Sequence, residues 1–124
     1  MAVVTLKLYG IPNCDTVKRA RAWLAEQGIE SGFVDFKRQG VPADALQCWL
    51  KAVGPDRLVN RQGATWRKLD ARSQALVGTE AGVRELLTAQ PSLIKRPVVE
   101  WPNGHITVGF DVQQWQEVRA STAG

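Results

Sequence analysis

Cysteine and histidine are scarce in this sequence: two of the former and one of the latter in 124 residues. Two thiols do not make a disulfide scaffold, and Cys14 and Cys48 lie too far apart for a C-x-x-C pair. One imidazole with two scattered thiols gives no zinc ligand set. Long apolar runs are also missing. None approaches the ~20 residues that cross a bilayer, so no membrane association is expected. Met1-Ala2-Val3-Val4-Thr5-Leu6-Lys7-Leu8 lacks the basic start and small-residue cleavage site of a signal peptide. It reads as a strand, and a cytoplasmic protein is expected. Neither sign of charge dominates. Sixteen basic and 12 acidic residues leave +4, a mild bias towards anions and not the dense patch of a nucleic-acid binder. The five tryptophans are spaced as core and boundary residues, not as a base-stacking platform. Repeats, low-complexity tracts and coiled-coil stripes are absent, and a monomeric single domain is expected.

What is present is a sequence of alternating periods. Val4, Leu6 and Leu8 alternate with Thr5, Lys7 and Tyr9, the period of a strand. Gly10, Pro12 and Asn13 break it, with Asn13 the expected N-cap of a helix carrying Val17, Ala20 and Leu24. Gly28 stops that helix. Phe33-Val34-Asp35-Phe36 reads as a second strand, completing a βαβ-like start. Residues 39–91 read as a helical insertion: Leu46, Trp49, Leu50 and Val53 form one stripe, and Thr79 caps a helix with Val83, Leu86 and Leu87. Strands return at Val98–Trp101 and His105–Gly109, around an Asn103-Gly104 turn. Asp111 opens a last helix with Gln114 in capping-box position and Phe110 and Trp115 at the spacing of a hydrophobic staple. Residues after Val118 are expected to fray, with 120–124 as a tail. The order fits an α/β fold: a thioredoxin-like four-stranded mixed sheet with helices on both faces, its core drawn from 1–38 and 92–119.

The chemistry concentrates at Tyr9-Gly10-Ile11-Pro12-Asn13-Cys14-Asp15-Thr16-Val17-Lys18. A thiol where a strand gives way to a helix meets unpaired N–H groups and the positive end of the helix dipole, and both favour the thiolate. Lys18, one turn on, is expected to approach the sulfur, while Asp15 opposes ionisation. The backbone N–H groups of residues 15–17, with Thr16 among them, form an anion nest. Cys48 points away from the stripe of its own helix and reads as an exposed bystander. Arg96-Pro97 precedes a strand where thioredoxin-like folds carry a cis-proline beside the active cysteine, and the Arg96 guanidinium suits a carboxylate or oxyanion. Arg61 stands in a basic stretch, Arg57 to Arg72, that reads either as a site or as a solvated surface. His105 reads as structural or exposed.

Gly10-Ile11-Pro12-Asn13-Cys14-Asp15-Thr16-Val17-Lys18-Arg19-Ala20, Pro91-Ser92-Leu93-Ile94-Lys95-Arg96-Pro97-Val98 and Val108-Gly109-Phe110 together resemble the bacterial arsenate reductase (ArsC)/Spx family, most nearly its YffB-type branch. The resemblance runs from Leu6 to about Trp115. It implies that Cys14 is the nucleophile and Arg96 the arginine before the cis-proline, with Arg61 or Asn60 near a second family arginine. A third family arginine falls at Gly109, an upstream histidine at Gly10 and a serine at Val17, so arsenate would lack partners here. Spx-like regulators carry a second cysteine where this chain has Val17. The resemblance thus implies a monothiol oxidoreductase with no bound cofactor and with glutathione as co-substrate. Asn13, Asp15, Thr16, Lys18, Arg61 and Pro97 are then the expected substrate- or glutathione-binding residues, and glutaredoxin is a further candidate partner. The rival expectations are true arsenate reduction and a non-catalytic regulator that binds RNA polymerase.

Overall fold

The computed structural model describes residues 6–122, with side chains to residue 120. In chain order the elements are β1 (Leu6–Gly10), α1 (Asp15–Glu26), β2 (Ser31–Asp35), α2 (Phe36–Gln39), α3 (Ala43–Val53), α4 (Pro55–Leu58), α5 (Ala64–Arg67), α6 (Ala71–Ala75), α7 (Glu80–Ala89), β3 (Val98–Glu100), β4 (Ile106–Val108) and α8 (Val112–Thr122). Short 3₁₀ turns precede and follow α7 at Leu76–Gly78 and Pro91–Leu93. Val4 and Thr5, expected in the first strand, lie outside the described residues. Contacts divide the chain into two compact units, one joining the residues up to Asp35 with those from Arg96 onward, the other spanning Phe36–Lys95.

The first unit holds a four-stranded mixed sheet in the order β2-β1-β3-β4. β1 is central: it pairs parallel with β2 and antiparallel with β3, Leu8 lying between Phe33 and Val99. Strand periodicity sends Leu6 and Leu8 to one face. There they pack with Val17, Ala20 and Leu24 of α1, with Val99 and Trp101, and with Trp115 of α8. Gly28 ends α1 at φ +69°, as only a residue without a Cβ does easily. The Ile29 N–H bonds the Leu24 carbonyl at 2.9 Å and the Gly28 N–H bonds that of Ala25 at 3.0 Å, a Schellman cap.

The hairpin closes differently from a two-residue Asn-Gly turn. Gly104 N–H donates to Trp101 C=O and Trp101 N–H to His105 C=O, both at 2.9 Å. Pro102 therefore takes the second turn position, where its fixed φ belongs, and Gly104 at φ +89° forms the bulge that follows. Asp111 caps α8 through the Gln114 N–H at 3.2 Å, and the Phe110 and Trp115 rings meet at 4.8 Å, as the staple spacing requires. The tail expected to fray is instead helical through Thr122. The Arg119 guanidinium holds it, donating to the Gln27 side chain at 2.7 Å and to the Gln27 carbonyl at 3.2 Å. Residues 123–124 lie outside the described residues.

The second unit is helical. Leu46, Trp49 and Leu50 of α3 are buried, as are Leu58, Val59, Val83, Leu86, Leu87, Leu93 and Ile94. Thr79 caps α7, its hydroxyl accepting from the Gly82 N–H at 3.0 Å. This unit begins at Phe36, which was expected in the second strand but opens α2. It reaches Lys95 because buried Leu93 and Ile94 are tied to the end of α4. The Asn60 N–H bonds the Leu93 carbonyl at 2.7 Å, and the Lys95 N–H bonds the Leu58 carbonyl at 2.8 Å. Among the described residues, no helix is long and apolar enough to cross a membrane.

Candidate active site

Cys14 sits at the end of a tight link from β1. Its N–H bonds the Ile11 carbonyl at 3.2 Å, closing a turn in which Pro12 and Asn13 are the central residues. Its backbone is extended, at φ −94° and ψ 123°, and its carbonyl accepts the first helical bond, from Lys18 N–H at 2.9 Å. The N-cap of α1 is therefore Cys14 and not Asn13, which the turn consumes. An N-cap side chain faces the N–H groups two and three residues on. Here these belong to Thr16 and Val17. The sulfur replaces the usual cap oxygen without forming a cap bond of ordinary geometry, yet both amides stabilise its anion.

Cys14 is half-buried. That burial is the largest influence on the thiol and pushes its pKa up. The Val17 N–H, the hydrogen bond and charge of Arg96, and the Thr16 N–H act in the opposite direction and together prevail. The thiol therefore titrates below its ordinary value. The charge that acts on it is Arg96. Lys18 and Asp15, expected to act in opposite senses, are both exposed and take no part in the shift. Four carbons of lysine leaning along an exposed helix face are more cheaply solvated than aimed at a thiol.

Arg96 reaches the site because β3 follows it. Val98 pairs with Tyr9 of β1, so the residues just before Val98 are held beside the strand end from which Cys14 is suspended. The Arg96–Pro97 peptide is cis. Pro97 is buried, and its carbonyl accepts from Gly109 N–H at 2.9 Å. Tyr9 is not an acid or base near neutrality. Burial, the charge of Glu100 and a 3.2 Å bond from its hydroxyl to Glu100 Oε1 push it up to about 12.

Cys14, Thr16 and Arg96 thus converge, with the Val17 amide added. Val17, expected both in the core and, through its N–H, in the anion nest of residues 15–17, does both: its side chain is fully buried and its amide favours the thiolate. Asn13 is exposed. Arg61 belongs to the second unit. There it pairs with Asp56 at 3.3 Å, lies 5.6 Å from the Trp66 ring centroid, and borders a cavity of about 180 Å³ shared with Arg57, Asn60, Gln62 and Lys95. Cys48 is exposed and free.

A description of the ArsC family matches residues 9–118, from the end of β1 into α8. The chain belongs to the ArsC family. The matched span carries Cys14, Arg96 and Pro97. An uncharacterized protein of Haemophilus influenzae is 35% identical over 111 residues, covering 90% of this chain and 96% of its own length. A solved structure of a protein described as YFFB has a TM-score of 0.84 at 42% identity, over 91% of this ArsC-family chain and 97% of its own. The global transcriptional regulator Spx of Listeria innocua is 27% identical, over 74% of this chain and 70% of its own. The fold is the thioredoxin-like α/β fold of ArsC proteins, and relatives of the ArsC-family chain include transcriptional regulators as well as reductase-like proteins.

Proposed function

We propose that this ArsC-family chain is a glutathione-dependent monothiol oxidoreductase with Cys14 as nucleophile. The supporting observation is a half-buried thiol held below its ordinary pKa by the first-turn amides of α1 and by Arg96. The Cys14 thiolate attacks one sulfur of a disulfide substrate. A Cys14–S bond forms, the substrate S–S bond breaks, and the displaced thiolate leaves with the electron pair and takes a proton from water. Glutathione thiolate then attacks the mixed disulfide, regenerating Cys14 thiolate and carrying the oxidising equivalent away as a glutathione disulfide. Arg96 stabilises the thiolate as it forms and as it is released, and the Thr16 and Val17 N–H groups share that role. Lys18, exposed on the first turn of α1, is left to meet a carboxylate of glutathione. Glutaredoxin is a candidate to resolve the mixed disulfide.

Mass spectrometry after brief exposure to oxidised glutathione is expected to find the adduct on Cys14 well before Cys48. Cys14→Ser is expected to abolish glutathione-coupled turnover. Full turnover by Cys14→Ser, or an adduct on Cys48 alone, would overturn the proposal. Arsenate serves as a control substrate. Gly109 and Val17 offer it neither a guanidinium nor a hydroxyl, so turnover with arsenate is expected to be negligible. Regulators such as Spx define the other reading. RNA polymerase capture that survives Cys14→Ser, with no reductase activity in the unaltered chain, would favour it.

A further inference from the structure

Cys14 and Arg96 are both suspended from β1, by different routes. Cys14 follows Gly10 through one closed turn. Arg96 stands two residues before Val98, which pairs with Tyr9. The sulfur and the Thr16 and Val17 amides belong to one turn, so whether they meet Arg96 depends on how closely α1 seats against the end of β1. That seat is unusually close. A Cβ at Gly10 would lie 2.8 Å from Val17 Cγ2 and 3.2 Å from Cγ1, well inside ordinary contact. Gly10 is buried and Val17 is fully buried in the core shared with Leu8 and Leu24, so neither side has space in which to yield. The backbone of Gly10 is not in the left-handed region. Glycine is needed here for proximity, not for conformation.

We infer that Gly10 is a positioning residue for the nucleophile: its missing side chain lets α1 seat against β1 at Val17, which brings the Cys14 sulfur, with the Thr16 and Val17 N–H groups of its own turn, to Arg96. The inference rests on the reading of Cys14 as the reactive thiol, but it is tested without any substrate. A side chain at Gly10 forces α1 outward by several tenths of an ångström, and the first turn, which carries Cys14 at its cap, moves away from Arg96 with it. Val17 Cβ would lie 3.6 Å from the new atom, an ordinary contact. Removing the two Val17 methyls therefore removes the conflict and leaves the amide in place.

The thiol of each variant is titrated by thiolate absorbance, with Cys48→Ser in the background and folding checked by circular dichroism. Gly10→Ala is expected to raise the Cys14 midpoint by about half a pH unit or more, the scale on which loss of cap and charge support acts on thiols. Gly10→Ala/Val17→Ala is expected to return it to the original midpoint even though the double variant is less stable. Val17→Ala alone is the reference against which the double variant is read. Val17→Leu, which crowds the same contact from the helix side, raises it and stands in if Gly10→Ala does not fold. Unchanged midpoints in the folded crowding variants, or a raised midpoint that Val17→Ala fails to restore, would overturn the inference. Neither result touches the choice of glutathione, which the adduct experiment decides separately.

Discussion

Arg96→Met is expected to move the pH profile of Cys14 alkylation to higher pH. In the native site burial raises the thiol pKa, and the Val17 amide, Arg96 and the Thr16 amide lower it, with a net decrease. Methionine keeps the bulk of the stem and removes both the hydrogen bond and the charge, so burial is opposed by the amides alone. Below the midpoint, each unit of increase cuts the thiolate population about tenfold. The thiolate that remains is more basic and intrinsically more nucleophilic, which returns part of the loss, so the rate near pH 7 falls about threefold per unit. Iodoacetamide kinetics from pH 5 to 10 measure both the midpoint and the rate, and a midpoint unmoved by Arg96→Met would remove Arg96 from the site. Arg96→Lys retains charge without the planar fork and is expected to fall between. Stability carries the same signature. A thiol with a depressed folded-state pKa stabilises the fold above the unfolded value, about 8.5, and loses that contribution as pH falls through the folded value. The melting temperature of the native chain relative to Cys14→Ser is therefore expected to rise between pH 7 and 9.

Gly82→Ala is expected to destabilise the helical unit by about 3 kcal/mol, at the upper end of overpacking costs. A Cβ there would run into the Leu76 carbonyl oxygen and approach the Leu76 carbonyl carbon and Thr79 Oγ1 at 2.9 Å each. The obstacle is mostly backbone, so rotamer changes cannot relieve it. Relief requires α7 to lift from the 3₁₀ turn before it, and the Thr79 cap on Gly82 N–H is lost in the process. For a chain of this length the melting temperature falls by roughly 10 °C. Gly78→Ala is the control. It lies four residues earlier, exposed at the end of the 3₁₀ turn, with open space where its Cβ would go, and its effect is expected to stay within about 0.5 kcal/mol. Equal melting temperatures for the two variants would contradict the packing described for α7.

Legibility in the sequence followed the range of the interaction. The Thr79 and Asp111 caps, the Phe110–Trp115 contact, the Gly28 stop and the hairpin were readable because each is fixed within a few residues. Asn13 was misplaced by one position because a turn and a cap competed for the same short link, and the Ile11–Cys14 bond decided between them. The identity of the charge beside Cys14 was harder to read. Lys18 and Arg96 were both expected there, the first as a neighbour on the helix and the second from the Arg96-Pro97 motif, and only the β1–β3 pairing, which no local pattern announces, decides for Arg96. The conflict between a Gly10 side chain and Val17 is likewise a contact between elements. Helical persistence to Thr122 depends on Gln27, most of the chain away. The nucleophile and the first-turn amides that serve it were thus written locally, and the contacts between elements that bring Arg96 to them were not.

The central place of β1 has a consequence for synthesis. Cys14 leaves the ribosome early and Arg96 late, and the two meet only when β3 has paired with β1. A nascent chain lacking that pairing carries a sulfur without its guanidinium and with less support for its ionised form. Full support of the thiolate is conferred only with the completed sheet.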